Sequence, residues 1–444
     1  MRSRPATVIV IIPLAFWLLA ESVYALMQVA GVVRSAHIRY AMTGHFLNPG
    51  PFGGFVGMLM AVCIAWIVLT RPDGKWGRWL RVLCGAGALA GLMVLPASMS
   101  RAGWLGIAVA MLVLSIRHRA VRAWLRGRHW LLVIIAAAAV ALCIGAFLMK
   151  KDSALGRLHI WHMETRSMAA YPWTGVGRGG FAAAYGEAQA AYFRAGERAD
   201  WEVRVAGCPE YAFNEYLKAG VEWGAGGLVL ALAVTVLVCV VLIRKNNPLG
   251  YGAIALAVFA VFSYPMSLWP FRLCAGLFFA AALGELSGKR GAAIVVFAAS
   301  AVVCVWAERE KPREADFREL YTHGYHLFEM GEFEKALPIL KEGAGMSCDP
   351  MFHNIIGRCH EAMGNLEQAE SAYWQAHYMV PGRLYPLVLL QELYLSQGNV
   401  HRAGEMLELI EKTPMNEKNT NMKVLRRRAE NNMFHPNFQY HEKR

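Results

Sequence analysis

The sequence has few charged residues and no paired cysteine motif. Asp, Glu, Lys and Arg make up only 17% of its 444 residues, whereas 56% are hydrophobic. This composition excludes an ordinary cytosolic globular protein and is typical of a multi-pass membrane protein that carries a soluble part. The nine cysteines are scattered, mostly within apolar segments, and no CxxC pair occurs. We therefore expect neither a cysteine metal site nor a disulfide framework.

Nine apolar segments are long enough, or nearly long enough, to cross a hydrocarbon core of about 30 Å. They lie at residues 7–31, 53–70, 80–97, 102–116, 130–149, 224–243, 249–265, 271–286 and 292–306. The first lacks the small-residue cleavage site of a removable signal peptide, so we interpret it as a retained helix. The sequence predicts an all-α fold, a polytopic bundle of about nine membrane helices.

Basic residues outnumber acidic ones by 45 to 32, and they concentrate in every second loop. The basic loops are residues 2–4, 71–81, 117–128, 244–245 and 289–290. Because short cytoplasmic loops retain Lys and Arg, this pattern predicts a bacterial inner-membrane protein with a cytoplasmic N-terminus and a periplasmic C-terminus. The same pattern explains the net charge of +13 without any nucleic-acid partner.

Three regions follow from this topology. Residues 1–306 form the membrane domain, and a large external loop of about residues 150–223 interrupts it. The composition changes at "EREKPREADF", after which residues 313–414 form a charged, helical, periplasmic domain. The tail, residues 415–444, is polar.

The C-terminal domain contains a repeat of 33–34 residues. In its three copies the glycines coincide, and so do the alanines: Gly331, Gly364 and Gly398; Ala336, Ala369 and Ala403. Such positions are where two packed helices turn and where only a small side chain fits. The segment resembles tetratricopeptide repeats. We favour a helical scaffold over a dedicated peptide or glycan groove, because packing alone requires these residues.

Arg101 lies in "SMSRAGWLG", at the external end of the fourth apolar segment. The preference for basic residues in cytoplasmic loops gives no reason for a cation at this end. Either its side chain extends to the headgroups, or it binds an anion.

The external loop contains two further features. The spacing of Arg157, Trp161, Glu164 and Met168 predicts one face of a surface helix that ends at Tyr171-Pro172. "GVGRGG", residues 175–180, is a glycine-rich turn whose amides could approach an anion. It lacks the strand and helix that a nucleotide-binding fingerprint requires.

Four sequence elements occur in order within about residues 40–285: "GHFLNPGPFGGF", "SMSRAGWLG", "SALGRLHIW" with "YPWTGVGRGGF", and "AFNEYLKAGVEWGAGGL". This set resembles the O-antigen ligase and polymerase superfamily. The resemblance implies a GT-C-like helical membrane glycosyltransferase, inverting and independent of metal or other cofactors. It also implies an undecaprenyl-diphosphate-linked glycan donor and a glycan, lipid A core or protein acceptor. Typical relatives carry several more helices before the first element, so this chain begins late or represents a compact branch.

Detaching a sugar from a lipid diphosphate leaves negative charge that a cation must stabilise. The closest carboxylate pair in the loop, Asp200 and Glu202, is better explained as solvated surface, because metal sites need several converging ligands. Arginine binds phosphate oxygens bidentately and stays protonated. We therefore assign catalytic roles to Arg101 and Arg157, at motif positions where the family has arginine. Arg166 and Arg178 are weaker substrate-binding candidates.

The acceptor hydroxyl must lose a proton, so a base is expected. The better-known relatives have a histidine directly before an asparagine, whereas this sequence has Phe213 before Asn214. We assign the base to Glu215, although its charge would equally suit the start of a helix. His159, His162 and Glu210 are alternatives, and His162 is also a substrate-binding candidate.

Two more residues complete the predicted substrate site. Asn214 would orient a substrate, and Glu222 would lie near the membrane boundary, pairing with Arg101 or contacting headgroups. We assign no chemistry to His37 or His45 in the first external loop.

The resulting hypothesis is a periplasmic-face glycan transferase or polymerase. Its partners are the lipid-linked donor, the acceptor, membrane lipids and a protein bound by the repeats. A protein O-oligosaccharyltransferase of the same superfamily shares these motifs. A transporter with attached repeats would show polar or broken helices at mid-membrane, and a non-enzymatic assembly platform would explain Phe213.

Overall fold

A computed structural model describes residues 5–71, 74–118, 123, 151–196, 198–309, 314–414 and 420–434. These residues form 18 α-helices and one short 3-10 helix, and no β-strand occurs among them. The all-α fold predicted from the apolar segments and repeats is therefore confirmed.

The helices of the N-terminal two thirds are α1 Pro5–Val29, α2 Pro49–Leu69, α3 Gly74–Ala97, α4 Arg101–Arg117, α5 Lys151–Ala170, α6 Phe181–Arg194, α7 Asp200–Val205, α8 Glu215–Arg244, α9 Leu249–Phe262, the 3-10 helix Pro265–Ser267, α10 Trp269–Ser287 and α11 Arg290–Arg309. The C-terminal helices are α12 Glu314–Glu329, α13 Phe333–Ala344, α14 Met351–Ala362, α15 Leu366–Met379, α16 Tyr385–Ser396, α17 Val400–Lys412 and α18 Thr420–Phe434.

Within the part of the chain that the structure describes, five helices are long and apolar enough to cross a membrane: Val8–Val29, Pro49–Leu69, Gly74–Ala97, Glu215–Arg244 and Trp269–Ser287. Two shorter apolar helices cover Leu249–Phe262 and Ile294–Val303. The predicted span 102–116 coincides with α4, which has 17 residues, and the predicted span 130–149 lies outside the described residues. The chain is a multi-pass membrane protein, and the count of nine spans stays a prediction.

The chain divides into two compact units. Unit 1 comprises Met1–Met149, Phe213–Tyr216 and Leu228–Glu310, and unit 2 comprises Lys150–Ala212, Leu217–Gly227 and Lys311–Arg444. The external loop thus groups with the C-terminal repeats. Helix α8 contributes to both units, and its backbone is broken at Gly224, which has a φ of 69°.

Helix α2 is the core of unit 1, because α1, α3, α4 and α9 all pack against it. Its crossing with α4 depends on two glycines. A Cβ atom added to Gly103 would lie 2.7 Å from the carbonyl carbon and oxygen of Gly53. Only glycine permits this approach, so the start of α4 is fixed against the start of α2.

Unit 2 contains three helical hairpins at the repeat positions. Gly331, Gly364 and Gly398 separate the paired helices and have φ values of 77°, 78° and 73°. Ala336, Ala369 and Ala403 are each 0% exposed. Glycine adopts this left-handed conformation without strain, and the alanines let the helices approach. The repeat alignment therefore located the turns and the helix contacts correctly.

A disulfide bond joins the external loop to the repeats. Cys208 follows α7 and is bonded to Cys348, which precedes α14, with Cα atoms 5.3 Å apart. The expectation that the cysteines form no disulfide was wrong for this pair. The two residues are 140 positions apart in sequence, so no local motif could indicate that the fold brings them together.

The amide of Gln189 reinforces the same junction. Its Oε1 accepts a hydrogen bond from the Tyr185 hydroxyl at 2.6 Å, and its Nε2 donates to the carbonyl oxygens of Gly207 and Met379. Gln189 is 0% exposed. One buried side chain thus connects α6, the segment after α7 and the end of repeat helix α15.

Candidate active site

Arg101 is the first residue of α4, and its position is set by the residue before it. The Ser100 hydroxyl accepts a hydrogen bond from the Gly103 N–H at 3.3 Å and donates to the Gly50 carbonyl at 2.7 Å. Met99, directly before Ser100, has a left-handed φ of 52°, so the chain turns sharply just before α4. The start of α4 is therefore both capped and tied to the start of α2.

This arrangement produces a cationic position at one end of unit 1. The N-terminus of a helix carries partial positive charge and exposed N–H groups, which favour anions. Arg101, which is half-buried, adds a cationic side chain at the first position of this helix. The local electrostatics therefore suit a bound phosphate.

A second arginine at this end of unit 1, Arg272, was missed by the sequence reasoning. It occupies the first turn of α10, directly after Phe271, whose ring lies 5.4 Å from that of Phe55 in α2. The signal that singled out Arg101, an arginine at the start of an apolar helix, applies equally to Arg272.

Arg157 lies on α5 in unit 2 and is half-buried. The most buried side chains of that helix are His159, Met163, Glu164 and Ser167. Helix α5 ends at Ala170, as the Tyr171-Pro172 pair predicted. Arg101 and Arg157 belong to different units, so their joint action on one diphosphate stays a prediction.

The two histidines of α5 occupy different environments. His159 is 2% exposed, its Nε2 lies 2.9 Å from Gln189 Oε1, and burial lowers its pKa. His162 is exposed and packs edge-on against the ring of Tyr192 at 5.1 Å. His159 is thus a structural histidine in the interior of unit 2, whereas His162 remains accessible.

Tyr192 also organises the charged residues around it. The Arg166 guanidinium lies 5.3 Å above its ring, and its hydroxyl donates to Glu202 at 2.7 Å. Arg166 is exposed, which leaves it able to contact a headgroup or substrate. Glu202 acts here as a hydrogen-bond acceptor within the loop.

The glycine-rich turn already holds a carboxylate from its own chain. The Glu222 side chain accepts a hydrogen bond from the Gly179 N–H at 3.2 Å, and its backbone carbonyl accepts from the Gly177 N–H at 3.0 Å. Both glycines have left-handed φ values, 84° at Gly177 and 77° at Gly179. The anion that this turn binds is therefore Glu222, and neighbouring Arg178 is exposed.

The start of α8 closely follows Phe213, the position at which the better-known O-antigen ligases that the sequence resembles have a histidine. Asn214 Oδ1 accepts from the Tyr216 N–H at 3.1 Å, and Glu215 Oε1 accepts from the Met266 N–H at 2.7 Å. Phe213 has a left-handed φ of 54°, and its ring meets Tyr264 edge-on at 5.4 Å. Asn214 thus caps α8, and Glu215 binds the 3-10 helix.

The remaining predicted base, Glu210, forms an ion pair with Arg318 at 2.8 Å between two largely exposed side chains. This pair lies on the surface of unit 2. It marks another contact between the external loop and the repeats.

A hydrogen-bonded carboxylate and histidine in unit 1 were also not predicted from the sequence. Glu21 of α1 is buried, and its Oε1 lies 3.0 Å from Nδ1 of His45. A carboxylate within an apolar helix is the sequence signal that should have drawn attention to Glu21. Its partner is 24 residues away, which pattern reasoning could not determine.

A cavity of about 650 Å³ lies within unit 2. Its walls include residues of α5, of α7 and the segment after it, and of the turn after α15, among them Asp152, Arg204 and Arg383. Among the described residues, no group of three or more His, Cys, Asp or Glu side chains is arranged to hold a metal ion.

The region that carries both sequence-predicted arginines is also the region with a family match. Residues 86–232 match the O-antigen ligase family. This ligase segment extends from α3 through the external loop into α8, and it includes Arg101, Arg157 and Glu215. No curated protein and no solved structure matches the chain. The match supports a membrane enzyme that ligates or polymerises glycans.

Proposed function

We propose that the chain transfers a glycan from undecaprenyl diphosphate to an acceptor hydroxyl at the periplasmic face of the inner membrane. The observation that carries this proposal is the ligase match over residues 86–232, which contains Arg101 and Arg157. The acceptor is a glycan, a lipid A core or a protein, and the donor class follows from the family.

In the proposed reaction the acceptor oxygen attacks the anomeric carbon, and the bond from that carbon to the phosphate oxygen breaks. The electron pair leaves with the lipid diphosphate. A single displacement of this kind inverts the anomeric configuration. Arg101 and Arg157 stabilise the charge that develops on the phosphates, since guanidinium groups bind phosphate oxygens bidentately and never deprotonate.

The proposed topology draws support from the disulfide. Disulfides persist in oxidising compartments, such as the bacterial periplasm, and are rare in the cytosol. Cys208 belongs to the external loop and Cys348 to the repeats. A periplasmic location for both segments agrees with the distribution of basic loops, which assigns the N-terminus to the cytoplasm.

The other predicted residues have supporting roles in this proposal. The exposed side chains of Arg166, Arg178 and His162 contact headgroups or the donor. Asn214 and Glu215 hold the start of α8 and the 3-10 helix in place. The repeats, of tetratricopeptide type, form a scaffold continuous with the loop and bind the acceptor or a protein partner.

Deleting the gene and comparing surface glycans on gels tests this proposal. Loss of glycan from the core, loss of long chains and loss of a glycoprotein distinguish a ligase, a polymerase and a protein-directed transferase. Complementation with Arg101→Ala or Arg157→Ala should fail, whereas Arg427→Ala should restore wild-type glycans. Arg427 is an exposed residue of α18 outside the ligase segment. Full complementation by either of the first two variants, at normal membrane levels, would contradict the proposal.

A further inference from the structure

One face of α1 holds the first external loop through three polar side chains. Glu21, Tyr24 and Gln28 follow at spacings of three and four residues, which places them on one side of a helix. Gln28 Oε1 accepts from the N–H groups of Thr43 and Gly44 at 2.9 Å each, and its Nε2 donates to the Gly44 carbonyl at 3.2 Å. This buried amide fixes the turn that precedes His45.

His45 is held by the other two residues of that face. Its Nδ1 lies 3.0 Å from Glu21 Oε1, and its backbone N–H donates to Glu21 Oε2 at 3.3 Å. Its ring stacks on Tyr24 with centroids 4.0 Å apart and an interplanar angle of 18°. Trp17 Nε1 also donates to Glu21 Oε1, at 3.4 Å. The imidazole position is therefore determined by contacts on two sides.

The Glu21 and His45 side chains differ in solvent exposure. A general base must be accessible to the substrate, whereas the carboxylate that orients it can be buried. The Glu21 side chain is 6% exposed, whereas the His45 side chain is 62% exposed. A proton on Nδ1 is donated to the buried carboxylate, which leaves Nε2 on the far side of the ring as an acceptor. Among the described residues, Nε2 has no hydrogen-bond partner. A solvent-accessible imidazole oriented by a buried carboxylate is the arrangement of a general base.

This pair lies at the same end of unit 1 as Arg101. A Cβ atom on Gly44 would collide with the ring of Phe52 and lie 2.9 Å from Glu21 Oε2. The next residue of α2, Gly53, is in similar contact with Ser98 and Ser100. The turn before His45 and the turn before Arg101 therefore pack against adjacent residues at the start of α2.

We propose that His45 is the general base of the glycan transfer and that Glu21 is its positioning residue. The inference rests on the proposed function, and it supplies the base that Phe213 replaces at the family's histidine position. His45 Nε2 takes the proton of the acceptor hydroxyl as its oxygen bonds to the anomeric carbon. The anomeric carbon–oxygen bond breaks, and the diphosphate leaves with the electron pair. Glu21 then stabilises the imidazolium.

The test uses the purified full chain in lipid nanodiscs, with an undecaprenyl-diphosphate-linked saccharide from the same cells as donor. His45→Gln should lower kcat by about 10²- to 10⁴-fold, the usual contribution of a general base. The Kd of the donor should stay within about 2-fold, because His45 does not bind the diphosphate. His37→Gln is the matched control, since His37 lies in the same loop and its side chain contacts its neighbours Arg39 and Tyr40.

Two further variants separate chemistry from folding. Added imidazole should restore part of the activity of His45→Ala, which a purely structural role would not allow. Glu21→Gln keeps the shape of the carboxylate, so it should lower kcat by at least about 10-fold with donor binding retained.

The outcomes for the two proposals are distinct. If the wild-type chain forms no product, the proposed function itself fails. If the wild type is active and His45→Gln keeps its kcat, the assignment of His45 is overturned, while the roles of Arg101 and Arg157 are unaffected.

Discussion

Cys208 and Cys348 are covalently joined across 140 residues of sequence, and the segments around them are closely packed. A Cβ atom on Gly186 of α6 would lie 3.1 Å from Cys348 and 2.8 Å from the Met379 methyl group. The external loop and the repeats therefore share one interior. The repeats are therefore connected to the rest of the chain by the disulfide and by packing against the external loop, as well as by the residues before α12.

Removing this bond should destabilise unit 2. Cys208→Ser should lower its free energy of unfolding by about 2–5 kcal/mol, because the bond closes a long loop in the unfolded chain. Thermal unfolding of the purified chain measures the change, and Cys348→Ser should give the same value. Reduction should change the gel mobility of the wild type and of Cys359→Ser, whose thiol is free. An unchanged wild-type mobility would contradict the assignment.

Gln189→Leu should destabilise unit 2 strongly, even though the two side chains are similar in size. The substitution leaves the carbonyls of Gly207 and Met379 without their donor in the interior, and each such loss costs about 1–3 kcal/mol. We expect a loss of about 3 kcal/mol or more. Hydrogen exchange should accelerate in α5 and at the end of α15. Glu187→Gln, an exposed change on the same helix, should alter stability by less than about 0.5 kcal/mol.

Two glycine-to-alanine substitutions in unit 1 should have opposite effects. Gly103→Ala places a methyl group against the Gly53 backbone, and overpacking of this kind costs about 1–3 kcal/mol. Gly85→Ala has open space around it within α3, so it should be neutral or stabilise the helix by about 0.5–1 kcal/mol. Melting temperatures in detergent measure both. Equal melting temperatures would argue against the close contact of α2 and α4.

Unit 2 should lose stability in mild acid. Burial lowers the pKa of His353 and of His377 to about 4, whereas an unfolded histidine has a pKa near about 6.5. The unfolded chain therefore binds more protons between these values. Stability is complete above about pH 6.5 and falls as the pH decreases towards about 4, by up to the order of 3 kcal/mol for each histidine. Melting curves between pH 7.5 and 4.5 measure this.

The control for the pH experiment is His377→Gln, which removes one of these two histidines. Its melting temperature should depend less steeply on pH than that of the wild type. His401→Gln changes an exposed histidine paired with Glu405 and should leave the slope of the wild type unchanged. A slope that is the same in His377→Gln and in the wild type would contradict the prediction.

Much of the fold could be predicted from the sequence because its signals are local. The apolar segments marked the membrane helices, Tyr171-Pro172 marked the end of α5, and the aligned Gly364 and Ala369 marked a repeat turn and its helix contact. Each of these follows from backbone conformation or side-chain volume within one or two turns of chain.

The site was less predictable because its contacts join distant segments. Glu222 binds the turn at Gly179, and Glu21 binds His45, yet neither partner can be deduced from periodicity. The bond from Cys208 to Cys348 was missed for the same reason. Arg272 and Glu21 each carried a local signal, since one is a cation in the first turn of an apolar helix and the other is a carboxylate within one.

The most direct test of the account measures glycan transfer by the full chain in nanodiscs with the undecaprenyl-diphosphate-linked donor, comparing wild type, Arg101→Ala, Arg157→Ala and Arg427→Ala. We predict that each of the first two substitutions lowers kcat/KM for the donor by about 100-fold or more, as expected for the loss of a charge that stabilises the leaving group. Arg427→Ala should retain wild-type values. Wild-type kcat/KM in both Arg101→Ala and Arg157→Ala would contradict the claim that these two arginines bind the diphosphate.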